Sequence, residues 1–226
     1  MPGQHMTDLN KKAKIVGLLF ILASATSVVS FFFFESIYDS DYLAVVSANE
    51  YGILVGVLLM FAAAASVVGI PIAIYPVLKR YNESLALGYF GARIFEGVFF
   101  VANIITLLSI LSLSREYVAA ATPNMAYFET SGALLLAQFE WNSVLLDIPF
   151  ALSAIILNYL LYRYRIVPSW LSIFGLVGGM VWLPGALIGL FDLMDASVLA
   201  APIGIQEMAL AVWLIVKGFN TPPDPS

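Results

Sequence analysis

The chain has 226 residues and a formal net charge of −5; 61% of it is hydrophobic, 11% is charged, and its mean hydropathy is +0.93. Soluble domains carry about 25% charged residues, so composition excludes a water-soluble globular protein, and the lack of ~10-residue alternating segments excludes a transmembrane barrel. The absence of cysteine excludes disulfides and thiolate chemistry; the single histidine, His5, lies in the N-terminal leader, so the membrane part has none, which argues against histidine-ligated haem or zinc and Ser-His hydrolysis.

Residues 1–10 read as a leader or cloning remnant, expected to be disordered, with a second start at Met6. Residues 11–219 read as one helical membrane domain of six spans, because the apolar runs approach or exceed the roughly 20 residues needed to cross the hydrocarbon core. The first span, 15–34, follows Lys11, Lys12 and Lys14, and no A-x-A site follows it, so it is an uncleaved span. The acidic stretch "ESIYDSDYLAVVSANE" predicts a short surface helix within 39–49. The second span, 52–78, ends at Pro76, Lys79 and Arg80, and the third covers 87–113. The polar segment after it, with Pro123 as a breaker, predicts short helices within 115–130. The fourth span, 134–161, runs into "YRYR"; the fifth, 170–191, is opened by Pro168 and bent by Pro184; the sixth, 198–216, is followed by Lys217. The ending "NTPPDPS", residues 220–226, predicts a disordered tail. No internal sequence repeat is evident, and no connection is long enough for a soluble domain.

Alternation of these spans places Lys11, Lys12, Lys14, Lys79, Arg80, Arg163, Arg165 and Lys217 on one side. Glu35, Asp39, Asp41, Glu116, Glu129, Asp192 and Asp195 fall on the other, opposed by Arg115. Basic residues favour the cytoplasmic side, so both termini are expected there.

Charges inside a span cost a few kcal/mol or more, face the bundle interior and find partners there. Arg93, Glu96 and Asn103 share one face of the third span by their spacings of three and seven. Glu140, Ser143, Asp147 and Asn158 likewise share a face of the fourth, and Gln206 and Glu207 lie near the middle of the sixth. Arg93, Glu96, Asn103, Glu140, Asp147 and Glu207 are therefore the ligand-binding candidates. One arginine cannot neutralise Glu96, Asp147 and Glu207 together, so at least one deep carboxyl must be protonated, hydrogen-bonded, or met by a cation or ligand. No catalytic or metal-ligating motif is present. Gly175, Gly179, Gly185 and Gly189 give the fifth span two G-x-x-x-G spacings, which serve internal packing or a homo-oligomer.

Three stretches, "GARIFEG", "YRYRIVPSWLSIFGLVGG" and "IQEMALAVWLIVKGF", occur in order and resemble an uncharacterised prokaryotic membrane family, domain of unknown function 4386, over almost the whole chain. The matching positions are Arg93 and Glu96, then Pro168, Trp170 and Leu171, then Glu207, Trp213, Leu214, Lys217 and Gly218. The resemblance implies a multi-pass protein of the cytoplasmic membrane of a bacterium or archaeon, and supplies no reaction, substrate or cofactor.

The expectation is thus an all-α integral membrane bundle of six transmembrane helices with both termini cytoplasmic. Three functions stay open. The first is a protein that binds or transports a small molecule or lipid at an interior polar site, with Arg93 holding an anionic or polar group and the carboxyls accepting hydrogen bonds or a proton. The second is a structural or regulatory protein acting through helix–helix partners. The third is a lipid-modifying enzyme using carboxylates, which paired acids alone support weakly. The partners expected are the bilayer, a small-molecule or lipid ligand and a second copy through the glycine-rich helix, with no nucleic acid and no cofactor.

Overall fold

A computed structural model describes residues 2–120, 124–191, 193 and 197–220, with side chains from residue 8 onward. Pro123, Asp192, Asp195 and residues 221–226 lie outside the described residues. Helix follows helix: α1 (Pro2–Phe34), α2 (Tyr42–Ala48), α3 (Glu50–Leu78), α4 (Glu83–Ala119), α5 (Met125–Arg163), α6 (Ser169–Leu190) and α7 (Ala201–Val216). Short 3-10 turns, Glu35–Tyr38 and Ser197–Ala200, follow α1 and precede α7. All of these helices except α2, with the turns at their ends, are long and apolar enough to cross a membrane, which makes six spans among the described residues.

Local chemistry sets several boundaries. The Asn82 side chain accepts from the Leu85 amide at 2.9 Å and caps α4, while Glu83 sits in the first turn where the helix dipole favours an acid. Asn124 caps α5 in the same way through the Tyr127 amide. Gly218 ends α7 with φ 77, a left-handed conformation that glycine adopts without Cβ strain. That turn buries Phe219 and lets Asn220 donate from its backbone to the Ile166 carbonyl at 2.8 Å and from its amide to the Arg165 carbonyl at 3.0 Å.

The six spans close into a ring in chain order. α1 packs on α3, α3 on α4, α4 on α5, α5 on α6 and α6 on α7, and α7 returns to α1. Aliphatic and aromatic side chains such as Phe20, Ile70, Ile74, Tyr89, Leu107 and Leu157 fill the space between the helices. Leu18, Phe32, Leu58, Phe95, Ile105, Ile173, Ile205 and Val212 are apolar and exposed. With no hydrophobic drive in water to keep them there, such residues suit contact with lipid.

At one end of the ring Tyr81 stacks on Tyr164 with 4.9 Å between ring centroids, and Gly218 abuts Asn10. The basic residues of the α3–α4 and α5–α6 connections gather there, beside the start of α1 and the end of α7. α2, expected as a surface helix, packs on α4 at the opposite end.

The expected short helices within 115–130 are not separate elements. Residues 115–119 prolong α4 and residues 125–130 begin α5, giving helices of 37 and 39 residues. At about 1.5 Å per residue both exceed the ~30 Å hydrocarbon core and continue beyond it. Local propensity without Gly or Pro inside 115–119 carries the helix into polar sequence. By contrast α7 has 16 residues, so the ring wall is uneven in height.

Candidate functional site

Arg93 projects from α4 into the centre of the ring. Its Nη1 donates to Glu96 Oε1 and Oε2 at 3.2 and 3.1 Å, one turn along the same helix. Its Nη2 crosses the ring to Glu207 Oε1 on α7 at 2.5 Å. The three residues are 2%, 3% and 9% exposed. The guanidinium also lies over Phe20 of α1, Tyr89 of α4 and Phe150 of α5, 5.4 to 5.9 Å from the ring centroids, within cation–π range. This centre therefore ties α1, α4, α5 and α7 together. The planar fork of arginine is the side chain that can serve two carboxylates and stack at once. Arg93 Nε and Tyr89 Oη are buried without a hydrogen-bond partner among the described residues.

A second polar feature lies toward the acidic end. A cavity of about 370 Å³ is lined by Ser27, Ser30, Phe31 and Phe34 of α1, Tyr38, Met60 of α3, Phe100 and Asn103 of α4, and Phe139, Ser143, Leu146 and Asp147 of α5. Ser143 Oγ donates to the Phe139 carbonyl at 2.9 Å, so it accepts from Asn103 Nδ2 at 3.0 Å. This order leaves Asn103 Oδ1 as a free acceptor; the residue is 4% exposed and that oxygen has no partner. Asp147 makes no hydrogen bond and no ion pair among the described residues. Two residues on, Pro149 lacks the amide that would bond the Leu145 carbonyl, which loosens α5 beside the cavity.

No residue of α6 or α7 lines this cavity. The packing register shows why. A Cβ on Gly17 of α1 would fall 2.6 Å from the Ala211 carbonyl of α7. Ten residues, about 15 Å of helix, separate Ala211 from the start of α7 at Ala201 and Gly17 from Ser27. α7 thus begins at about the level of Ser27, and the cavity extends beyond it between α1 and α5.

The remaining polar residues go elsewhere. Gln206 Nε2 donates to Asn158 Oδ1 at 3.0 Å and to the Leu171 carbonyl at 3.3 Å, while Asn158 Nδ2 donates to the Ala154 carbonyl at 2.9 Å. This joint links α5, α6 and α7. A Cβ on Gly175 would collide with Asn158 Oδ1, so the joint requires glycine there. Glu140 is exposed on α5 and lies within electrostatic reach of Tyr38 near the cavity.

Of the six candidates, the structure brings Arg93, Glu96 and Glu207 into one buried cluster and Asn103 and Asp147 into one cavity. Glu140 joins neither. The stripe on α5 divides accordingly: Ser143 and Asp147 face the cavity, and Asn158 faces α6 and α7. Sequence spacing does not reveal Phe20, Phe150, Ser27 or Ser30, which come from other helices. Tyr89, four residues before Arg93 and on its face, was visible in that spacing.

The model for the family described as Domain of unknown function (DUF4386) matches residues 15–218. The chain belongs to that family. No curated protein and no solved structure matches it. The three stretches that resemble DUF4386 acquire physical roles in this member. Arg93, Glu96 and Glu207 make the central cluster. Pro168 stands at the N-cap position of α6, where its carbonyl accepts from the Leu171 amide, and Leu171 offers its carbonyl to Gln206. Trp213 and Leu214 pack in α7, and Gly218 supplies the left-handed turn that ends it. In this DUF4386 protein the residues carrying the resemblance hold helices together, whereas the cavity residues lie outside those stretches.

Proposed function

We propose that the protein is a multi-pass protein of a bacterial or archaeal cytoplasmic membrane that binds, or passes, a small molecule or lipid through the cavity around Asp147. The single observation supporting this is a carboxyl group at membrane depth that has no partner among the described residues and faces open space. A carboxyl in that position is expensive unless it is protonated or met by a partner, and ionisable groups at that depth mark functional sites. A cavity of about 370 Å³ falls within the ~300–1,000 Å³ range of small-molecule sites. Arg93 takes a supporting part in this reading. Its guanidinium is occupied by Glu96 and Glu207, so it fixes the helices that shape the cavity. Both termini lie in the cytoplasm with the basic end, and the cavity opens toward the opposite leaflet.

The reading through helix–helix partners has less support from the glycine-rich helix. Added Cβ atoms at Gly178 and Gly179 of α6 would press on Ile203 and Ile155 of the same chain, and that at Gly175 on Asn158. Gly175, Gly178 and Gly179 are thus filled from within the chain, whereas Gly189 has no neighbour at its Cβ position.

Native mass spectrometry of the detergent-purified protein, with lipidomics on the same sample, tests the proposal. It expects a stoichiometric bound molecule that is lost in Asp147→Asn and retained in Glu140→Gln. A well-folded protein that carries nothing, before and after incubation with a total lipid extract, would contradict it.

A further inference from the structure

We infer that the ligand of the Asp147 cavity is an organic cation with N–H donors and an apolar body, a primary ammonium compound in its simplest form. This rests on the cavity reading above and names the chemistry of its occupant. The free polar groups at the cavity wall are the Asp147 carboxyl, an acceptor when ionised, and the Ser27 and Tyr38 hydroxyls, which donate or accept. Asp147 offers two carboxyl oxygens without partners, and beside it Asn103, with Nδ2 committed to Ser143, keeps a buried Oδ1 that has no partner. The Ser30 hydroxyl is turned away, donating to the Ser27 carbonyl at 2.7 Å. Among the described residues no arginine, lysine or histidine lines the space. An anion would therefore meet the Asp147 carboxyl with no cation to offset it, while an ammonium group gives that carboxyl the donors it lacks.

The rest of the wall suits the same occupant. Phe34 and Phe139 meet edge to face with centroids 5.5 Å apart, and Phe31, Phe100 and Tyr38 complete an aromatic surround. Aromatic faces attract cations and pack against apolar carbon. Glu140, exposed close to Tyr38, adds negative potential on the approach. The cavity extends past the start of α7 between α1 and α5, so the occupant can arrive from the outer leaflet or from the outer solution. A free amine and the ammonium of phosphatidylethanolamine present this same chemistry.

The test uses the full chain in nanodiscs of phosphatidylcholine, a lipid without a primary amine, titrated with phenylethylammonium, phenylethanol and phenylacetate. Wild type is expected to bind phenylethylammonium saturably. Asp147→Asn should weaken that binding by roughly 10- to 100-fold, the range of a buried charge-assisted hydrogen bond. Asn103→Leu should weaken it less, and gives a second reading where Asp147→Asn fails to fold. Competition by added phosphatidylethanolamine would name the lipid as the source; its absence would name a free amine. Equal binding of the alcohol or the carboxylate, or a native mass spectrum showing a bound molecule that has no ammonium group, would overturn the cation and leave the cavity reading standing. No saturable binding by any probe, with nothing bound in the native mass spectrum, would overturn both.

Discussion

At the residue scale the molecule holds two kinds of buried charge. Arg93 has two carboxylates and three aromatic rings around it; Asp147 has open space. The two should respond oppositely to substitution. Removing one partner from a buried ion cluster strands the others, at about 3–5 kcal/mol. Arg93→Ala is therefore expected to destabilise the fold by that order, measured by steric trapping in bicelles. In the Arg93→Met, Glu207→Met double-mutant cycle, the double variant should lose less than the sum of the single ones. Asp147→Asn removes an unpaired charge and should leave stability unchanged or raised, while ligand binding is lost. Loss of stability comparable to Arg93→Ala would show that Asp147 has a structural partner. Spacing alone put Arg93 and Glu96 on one face, and the surplus of acid over base already required one carboxyl to be protonated, hydrogen-bonded or met by another group. Which carboxyl stays unpaired depends on which helices meet, and no local pattern encodes that.

At the scale of elements, the joint among α5, α6 and α7 rests on close approach. Gly175 leaves room for Asn158, which receives Gln206. Gly175→Ala forces a side-chain or backbone shift in a packed interior and should cost about 1–3 kcal/mol. Adding Asn158→Ala to Gly175→Ala removes the colliding amide, so it should recover part of that loss. Equal stabilities of wild type and Gly175→Ala would mean the joint is loose. On the other side, the exposed pair Arg115–Glu50 should matter little, with Arg115→Ala leaving the thermal midpoint nearly unchanged. The spans themselves were legible because hydropathy runs report a membrane solvent directly. The extensions of α4 and α5 were hidden, since polar sequence that continues a helix outside the membrane reads like a loop.

For the whole molecule, the ring in chain order follows from short connections between antiparallel spans, and its uneven wall produces the cavity. The placement of basic residues predicts orientation. Because the chain has no cysteine, single introduced thiols report it cleanly. A membrane-impermeant maleimide should label Ser40→Cys in intact cells, and should label Ser84→Cys, beside Lys79 and Arg80, only after permeabilisation. The reverse pattern would invert the topology. Ring closure was not legible in the sequence. It depends on α7 meeting α1 at Gly17, a contact between opposite ends of the chain.

The central claim is that Asp147 faces an open, cation-attracting cavity within the helical bundle. Ser27→Cys places a thiol on the cavity wall, and its modification rate in membranes is the most direct probe. The account predicts that the cationic aminoethyl methanethiosulfonate reacts readily and the anionic sulfonatoethyl reagent slowly, and that Asp147→Asn removes most of the difference. A thiol that neither reagent reaches, or equal rates for both with Asp147 in place, would contradict it.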